Sequence, residues 1–326
     1  MFNLNFSNQD KNILITGGAE FIGTNLIKFL YKFYNDKINI VVVDNLSSGS
    51  LTNIDLFINK KNFIFINHDI INEFSFDKKI YQIYHLACMA SPPFYQNKPL
   101  ATLDTCYIGS KNVIKIANDN NCRILFTSTS EIYGDPTIEI QNEDYWGNVN
   151  PCGLRSCYDE GKRVAETLFF DSYRNLNTDI CICRLFNTYG PYMRYDDGRV
   201  ISNFIYKSLK NETIEIHGDG SQTRSFSYVD DTIDGIFKLM NSNFIGPYNI
   251  GNTQTFTINE LINKISNILN KKVNLKYIDK RPDDPMQRIP DLKKSSKDLK
   301  YSPKIDLTNG LKYTISFFQK VIDSQI

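Results

Sequence analysis

Residues 12–44 read NILITGGAEFIGTNLIKFLYKFYNDKINIVVVD, and the order of patterns within them decides the fold. Asn12–Thr16 is an apolar run closed by a glycine pair, as in a strand buried on both faces. Phe21, Ile22, Leu26, Phe29, Leu30 and Phe33 then recur at helical spacing over Phe21–Tyr34. A second apolar run follows at 39–43 and ends on Asp44. Strand, tight turn, helix and strand make one crossover unit, whose strands must be parallel. The strand signature returns at 62–66, 82–86, 123–127 and 180–184, and helical patterns occupy 100–118 and 158–176. Near-continuous apolar strands alternating with helices predict a parallel, doubly wound sheet.

Past residue 185 the pattern loosens. Helices are predicted at 199–209, 231–240 and 258–269, with short strands near 214–216, 248–250 and 273–277. The expected architecture is α/β: a Rossmann-type doubly wound parallel sheet, with a smaller C-terminal α/β substrate-binding lobe. Residues 1–185 form the dinucleotide-binding domain in this reading, and 186–326 the lobe, with some of its segments returning to the first part.

Composition narrows the function classes. The formal net charge is +1, and no dense basic cluster marks a nucleic-acid footprint. No run approaches the ~20 apolar residues of a membrane span, and the first residues lack a basic-then-apolar leader. The seven cysteines form no CxxC pair and no metal-ligand spacing. Cys181 and Cys183 lie in an apolar run that reads as a buried strand. Reduced thiols in a cytoplasmic protein, with no nucleic-acid or membrane partner and no metal, are the expectation.

Thr16–Gly23, TGGAEFIG, falls between the first strand and the first helix. Backbone amides at such a turn, with a helix N-terminus behind them, suit a pyrophosphate. Asp44, 21 residues beyond Gly23, ends the second strand. A carboxylate there accepts hydrogen bonds from an adenosine ribose and disfavours the additional phosphate of NADP. NAD is therefore the expected cofactor. Position 20 disturbs the pattern, because Glu stands where a glycine lets phosphates approach the backbone. A carboxylate ~5 Å from a phosphate costs ~3 kcal/mol at an effective dielectric near 20. Glu20 is accordingly expected to point outward, with NAD bound more weakly than a glycine would allow.

Tyr158 and Lys162 stand four apart on a predicted helix, hence on one face. An ammonium beside a phenol favours the phenolate and makes the tyrosine a usable base. Alone, that spacing is common by chance, and a packed tyrosine with a solvated lysine is the plainer reading. A second feature favours chemistry: the fifth strand runs into TSTSEIYG from Thr127, putting hydroxyls and Glu131 at a strand's carboxyl end, where open α/β sheets place ligands.

These stretches resemble the UDP-glucuronate decarboxylases, also called UDP-xylose synthases, among the extended short-chain dehydrogenases/reductases. The likeness runs from about Asn12 to Phe318. It is carried by HLAC from His85 with ASPP from Ala90, TSTSEIYGDP from Thr127, and YWGNVNPCGLRSCYDEGKRVAET from Tyr145. RLFNTYGP from Arg184, DGRV from Asp197, GDGSQTRSF from Gly218, and Asp283-Asp284-Pro285 with Arg288 complete it. Related 4,6-dehydratases usually carry Asp at the position of Ser130.

The resemblance implies oxidation at the sugar C4, loss of the C6 carboxylate as carbon dioxide, and reduction to UDP-xylose, with NAD regenerated in the site. It implies that Tyr158 takes the 4-hydroxyl proton, assisted by Lys162, and that Thr129 supports the C4 oxygen. Glu131 and Arg288 match positions implicated in handling the carboxylate and reprotonating C5. Cofactor contacts are expected from Gly17, Phe21, Ile22, Gly23, Asp44, Asn45, Asp69, Ile70, Leu86, Tyr158 and Lys162. Substrate contacts are expected from Pro92, Ser130, Asn187, Arg199, Val200, Gln222, Arg224 and Arg288. Arginines suit a pyrophosphate through bidentate hydrogen bonds. The helices at 100–118 and 158–176 resemble the family's four-helix homodimer interface.

Three residues depart from the pattern: Glu20 for glycine, Met89 for proline, and Cys106 for a usual asparagine beside the active site. Two other readings remain open. A nucleotide-sugar 4-epimerase or 4,6-dehydratase shares the general motifs. A non-catalytic dinucleotide-binding scaffold is suggested by Glu20 and opposed by the complete Thr129, Glu131, Tyr158 and Lys162 set.

Overall fold

The computed structural model describes residues 1–4, 11–279 and 288–324. The Asp283-Asp284-Pro285 motif lies outside them. The first strand β1 (Asn12–Thr16) is buried at every position and runs into α1 (Phe21–Tyr34) through the glycine turn. Strand β2 (Asn39–Asp44), α2 (Leu51–Ile58), β3 (Phe63–Asn67) and β4 (Gln82–His85) follow. After α3 (Pro92–Asn97), a long helical stretch contains α4 (Pro99–Asp104), a π-helical turn (Thr105–Gly109) and α5 (Ser110–Asn120). Sequence periodicity predicts one helix there and misses the wider turn. Strand β5 (Arg123–Thr129), α6 (Ser156–Leu176) and β6 (Ile180–Leu185) finish the first half.

The second half comprises β7 (Thr188–Tyr189), α7 (Val200–Lys210), β8 (Ile214–His217), β9 (Thr223–Ser225), β10 (Ser227–Tyr228) and α8 (Val229–Met240). It continues with β11 (Tyr248–Ile250), β12 (Thr255–Thr257), α9 (Ile258–Leu269), β13 (Leu275–Ile278), α10 (Lys293–Leu299) and α11 (Leu307–Asp323). The central sheet has seven strands in the order β11-β6-β5-β4-β1-β2-β3, all parallel. The order reverses between β1 and β4, the place where open α/β sheets bind ligands at the strands' carboxyl ends. Strand β11 comes from the second half and pairs with β6, Tyr248 opposite Cys183. Small sheets β7·β10, β9·β12 and β8·β13 build the lobe beside that edge.

Why the sheet holds is plain from its side chains. Leu14, Ile15, Val41, Val42, Val43, Ile83, Tyr84, Ile124, Leu125 and Ile182 are all buried. Each such side chain removed from water is worth about 1.5–3 kcal/mol. The two faces are covered by separate clusters: one reaches through α1 and α8 to α11, the other joins β4 and β5 to α5 and α6.

Two glycines of the first turn are required by close approach. Gly17 has φ +72°, and a Cβ there would sit 2.7 Å from the Ala87 nitrogen. At Gly23 a Cβ would sit 2.5 Å from the Gly17 carbonyl oxygen, so no larger residue lets α1 start so near β1.

Candidate functional site

A cleft of about 390 Å³ opens along the carboxyl ends of β1, β4, β5 and β6 and beneath the lobe. That is the size range of small-molecule sites. One end is the glycine turn, with Gly17, Phe21, Ile22 and Gly23, and Leu86 beside it. Its middle holds Thr129, Ser130, Glu131, Tyr158 and Lys162, and the lobe supplies Asn187, Arg199, Val200, Gln222, Arg224 and Arg288. Pro92, the first residue of α3, also lines it. Asp44, Asn45, Asp69 and Ile70 line a smaller adjoining hollow that shares Gly17, Glu20 and Cys88 with the cleft.

The turn has features a dinucleotide needs. No side chain caps the N-terminus of α1, so its first turn presents backbone amides with the positive end of the helix dipole. The Asp44 carboxylate accepts from Ala19 N at 3.0 Å and Leu46 N at 2.8 Å, which fixes it at the end of β2. Burial pushes Asp44 up despite those two donors. Asn45 donates to Asp69 at 2.9 Å and ties the ends of β2 and β3 together. The residues fit an adenosine ribose and a diphosphate, apart from one side chain.

That side chain is Glu20, and the outward orientation expected for it is overturned. It lines both hollows and accepts a hydrogen bond from the Ser48 hydroxyl. The Ser48 donor and the charge of Arg199 hold it inward. Burial, and next the neighbouring Asp44, push its carboxyl up to about 8, with Arg199 opposing. It is therefore mostly neutral at pH 7, which removes most of the repulsion that made an inward orientation seem costly.

The centre of the cleft is built by α6 and the end of β5. Tyr158 and Lys162 share the buried face of α6. The Lys162 ammonium donates to the Thr127 carbonyl at 2.8 Å and lies 5.9 Å from the centroid of the Tyr158 ring. The expected direct sharpening of the phenol by that ammonium is not what dominates here. Burial pushes Tyr158 well above its usual value; the Cys88 and Glu131 charges add to this, and the Thr129 hydroxyl opposes it by hydrogen bonding. Tyr95 stacks on Tyr158 with centroids 5.2 Å apart and planes 6° from parallel, which fixes the plane of the phenol ring.

Glu131 lies on the short 3-10 turn that follows β5, and two guanidinium groups grip it. Arg288 reaches its carboxylate at 3.0 Å, and Arg155 makes the second ion pair. Burial alone raises Glu131, but the Arg288 and Arg155 charges outweigh it, and the net is a lowered value. Arg288 is 3% exposed, and its other nitrogen donates to the carbonyls of Ser130 at 3.1 Å and Gly134 at 2.7 Å. Asp159, next to Tyr158, is raised to about 7 by burial and by Glu131.

Arg155 and Asp159 are residues the sequence reading passed over. Both stand in the RSCYDEGKR run, three residues before Tyr158 and one after it. The signal was an arginine one helical turn ahead of a candidate base. Arg155 is the N-cap of α6, where a cation is unfavourable to the helix dipole unless a carboxylate holds it.

On the lobe side, Arg199 is fixed by Asp197 at 2.7 Å, and its guanidinium lies 5.8 Å from the Phe21 ring centroid, so it bridges lobe and glycine turn. Gln222 donates to the His217 carbonyl at 2.8 Å, and Arg224 to the Thr223 carbonyl at 2.9 Å.

Comparison with known proteins agrees with this architecture. Residues 14–314 match the family described as GDP-mannose 4,6 dehydratase. The chain is 48% identical to UDP-glucuronic acid decarboxylase 3 of Arabidopsis thaliana over 95% of its own length and 89% of the relative's. With UDP-glucuronic acid decarboxylase 1 of Danio rerio the identity is 42%, over 97% and 74%. A solved structure of the UDP-glucuronic acid 4-epimerase from Bacillus cereus, in complex with UDP-glucuronic acid and NAD, superposes with a TM-score of 0.85 at 28% identity, covering 95% of this chain and 99% of that one. By the extent of these matches, the chain belongs to this extended short-chain dehydrogenase/reductase family, among its UDP-glucuronic acid decarboxylases.

Proposed function

We propose that this protein is a UDP-glucuronate decarboxylase that converts UDP-glucuronate to UDP-xylose through a 4-keto sugar, with NAD held and regenerated in the cleft. One observation carries the assignment beyond general family chemistry. Glu131, clamped between Arg155 and Arg288, shares the cavity with Tyr158 and Thr129. A carboxylate substrate needs cationic partners, and a decarboxylated carbon needs a proton brought to it; the arginines answer the first need, and the ionised Glu131 can hold a water for the second.

When bound, NAD would supply the hydride acceptor and donor for the sugar C4. Gly17, Phe21, Ile22 and Gly23 would hold its diphosphate, and Asp44 its ribose. Tyr158 removes the proton from the 4-hydroxyl, with Thr129 bonding the same oxygen and the Lys162 ammonium, 5.9 Å from the phenol ring centroid, as the neighbouring positive charge. The resulting ketone is β to the C6 carboxylate, so carbon dioxide leaves as an enolate forms. Arg288 orients the carboxylate, and Glu131, kept ionised by Arg288 and Arg155, accepts a hydrogen bond from the water that gives C5 its proton. Ser130 and Pro92 shape the sugar pocket. Asn187, Arg199, Val200, Gln222 and Arg224 bind the nucleotide diphosphate.

A 4-epimerase is the second reading, favoured by the fold likeness to an epimerase whose solved complex contains UDP-glucuronic acid. Incubation with UDP-glucuronate and NAD, followed by mass spectrometry of the nucleotides, separates them. Carbon dioxide release and UDP-xylose support decarboxylation, whereas an isomer of unchanged mass overturns it. Tyr158→Phe should lower kcat by about 100-fold or more while NAD still binds.

The expected homodimer is part of the same proposal. Leu100, Leu103, Tyr107, Ile108 and Val164 are exposed on the 99–120 helical stretch and α6, apolar surface that a second copy would cover. Light scattering should give twice the chain mass, and Ile108→Asp should give the monomer. A cytoplasmic home is supported by seven unpaired thiols. Among the described residues, no helix is long and apolar enough to cross a membrane.

A further inference from the structure

Two thiols meet where one of them reaches the cleft, and no step above uses them. Cys88 follows β4 and lines both the main cavity and the hollow beside it. Cys106 stands in the π-helical turn Thr105–Gly109, a wider turn of the kind often found at functional sites. Their sulfurs lie 3.4 Å apart, in contact but unbonded, against about 2.05 Å in a disulfide. The two side chains are 9% and 2% exposed, packed with Tyr158, Tyr95, Met89 and Cys157.

The two thiols differ in character. The hydrogen bond with Cys106 brings Cys88 down to about 7 against the effect of burial, with help from the Lys162 charge. That same hydrogen bond, and then burial, hold Cys106 well above its usual value. One sulfur thus ionises near neutral pH, at the end of a cleft that admits small molecules, and a protonated partner waits beside it. Redox-sensing pairs need this division into an attacking and a resolving thiol.

We propose that Cys88 and Cys106 are a reversible redox pair, oxidised to a disulfide by a peroxide that enters through the cleft, and that the bond switches off the neighbouring Tyr158 site. In the first step the Cys88 thiolate attacks one peroxide oxygen, the O–O bond breaks, and Cys88 becomes a sulfenic acid as hydroxide leaves. In the second, the Cys106 sulfur displaces the sulfenic oxygen, the S–S bond forms, and the oxygen departs as water with the Cys106 proton. Two thiols lose two electrons in all, and the peroxide is reduced to two waters. A dithiol reductant reverses the bond.

Closing the gap requires the sulfurs to approach by about 1.3 Å. The catalytic helix cannot ignore that movement. A Cβ at Gly161 would lie 3.0 Å from the Cys106 sulfur, so Cys106 rests directly on the backbone of α6, three residues from Tyr158. Cys88 and Cys106 act here as positioning residues for the phenol, and this part rests on the decarboxylase reading.

The test is exposure of the full-length protein to hydrogen peroxide near neutral pH, then alkylation of free thiols in denaturant and peptide mapping by mass spectrometry. The expected result is a Cys88–Cys106 cross-linked peptide that dithiothreitol removes. Decarboxylase activity should fall in proportion to the cross-link and return on reduction. Cys106→Ser should show no cross-link, its peroxide-treated Cys88 stopping at the sulfenic acid or beyond, and Cys157→Ser should retain both the cross-link and the reversible loss. A cross-link from Cys157, or no cross-link at all, overturns the pair. Full activity in completely cross-linked protein overturns the switch. The peptide map needs no activity, so its outcome stays separate from that of the decarboxylase assay.

Discussion

Replacing Glu20 by Gly should change how NAD affinity depends on pH. The carboxyl stands in the phosphate turn, accepts from Ser48, and is faced by Asp44, Arg199, Cys88 and Asp197. Burial pushes it up to about 8. The raised value means the neutral form dominates below pH 8 and the charged form above it. Near pH 7 only about one Glu20 in ten is ionised, and little repulsion reaches a diphosphate. Once charged, at ~5 Å from a phosphate and an effective dielectric near 20, it opposes binding by ~3 kcal/mol, a factor of roughly 100 or more. The apparent Kd for NAD should therefore hold nearly steady between pH 6 and 7, and weaken about tenfold by pH 9. In Glu20→Gly that weakening should be absent. Isothermal titration calorimetry of the two proteins across this range measures it. Cys88 titrates in the same window but is common to both, so the difference between the curves isolates position 20. Parallel curves would falsify the assignment of a charge gate to Glu20, whatever their absolute affinities.

Two further outcomes concern stability. His85 is buried between the Thr16 and Ser110 hydroxyls, at 2.8 and 3.1 Å, and burial, then the Lys162 charge, lower it to about 3. Below its ordinary value near 6.5 the unfolded chain takes up a proton that the fold refuses, so the contribution is complete above about 6.5 and is lost as pH falls toward 3. Denaturant titrations should show stability dropping by up to about 1.4 kcal/mol per pH unit from this group, with a shallower drop in His85→Gln; equal slopes refute it. Arg184 grips Glu166 at 2.8 and 3.0 Å in the interior between β6 and α6. Arg184→Met strands a buried carboxylate and should cost about 3–5 kcal/mol. Adding Glu166→Leu should recover most of that, and a double variant no more stable than the single one rules out the stranded charge as the cause.

Sequence and structure agree best where local pattern and global packing demand the same residues. Residues 12–44 could read as little else: the apolar runs needed by buried parallel strands are also strong β-formers, and the glycines are forced by the approach of Gly17 to Ala87 and of Gly23 to Gly17. The central sheet followed from repeating that unit. The lobe was less legible because its strands are two to four residues long, too short for periodicity to distinguish them from loop. The π turn at Thr105–Gly109 leaves the apolar spacing almost unchanged, so its one additional residue per turn is silent in sequence. At the site, residue types were readable but charge partners were not. Glu20 was expected outward because its full charge was assumed; the fold instead supplies Ser48 and Arg199 and suppresses the charge by burial. Lys162 was expected to act directly on Tyr158, because four-residue spacing fixes a common face but not where a long side chain ends. Its ammonium bonds the Thr127 carbonyl of the adjoining strand, a contact set by tertiary packing alone. Arg155 was hidden for the same reason, since only the fold brings Glu131 from the end of β5 against the start of α6. What a sequence conceals here is thus not which groups do chemistry but how far each is ionised, because ionisation is decided by neighbours from other elements.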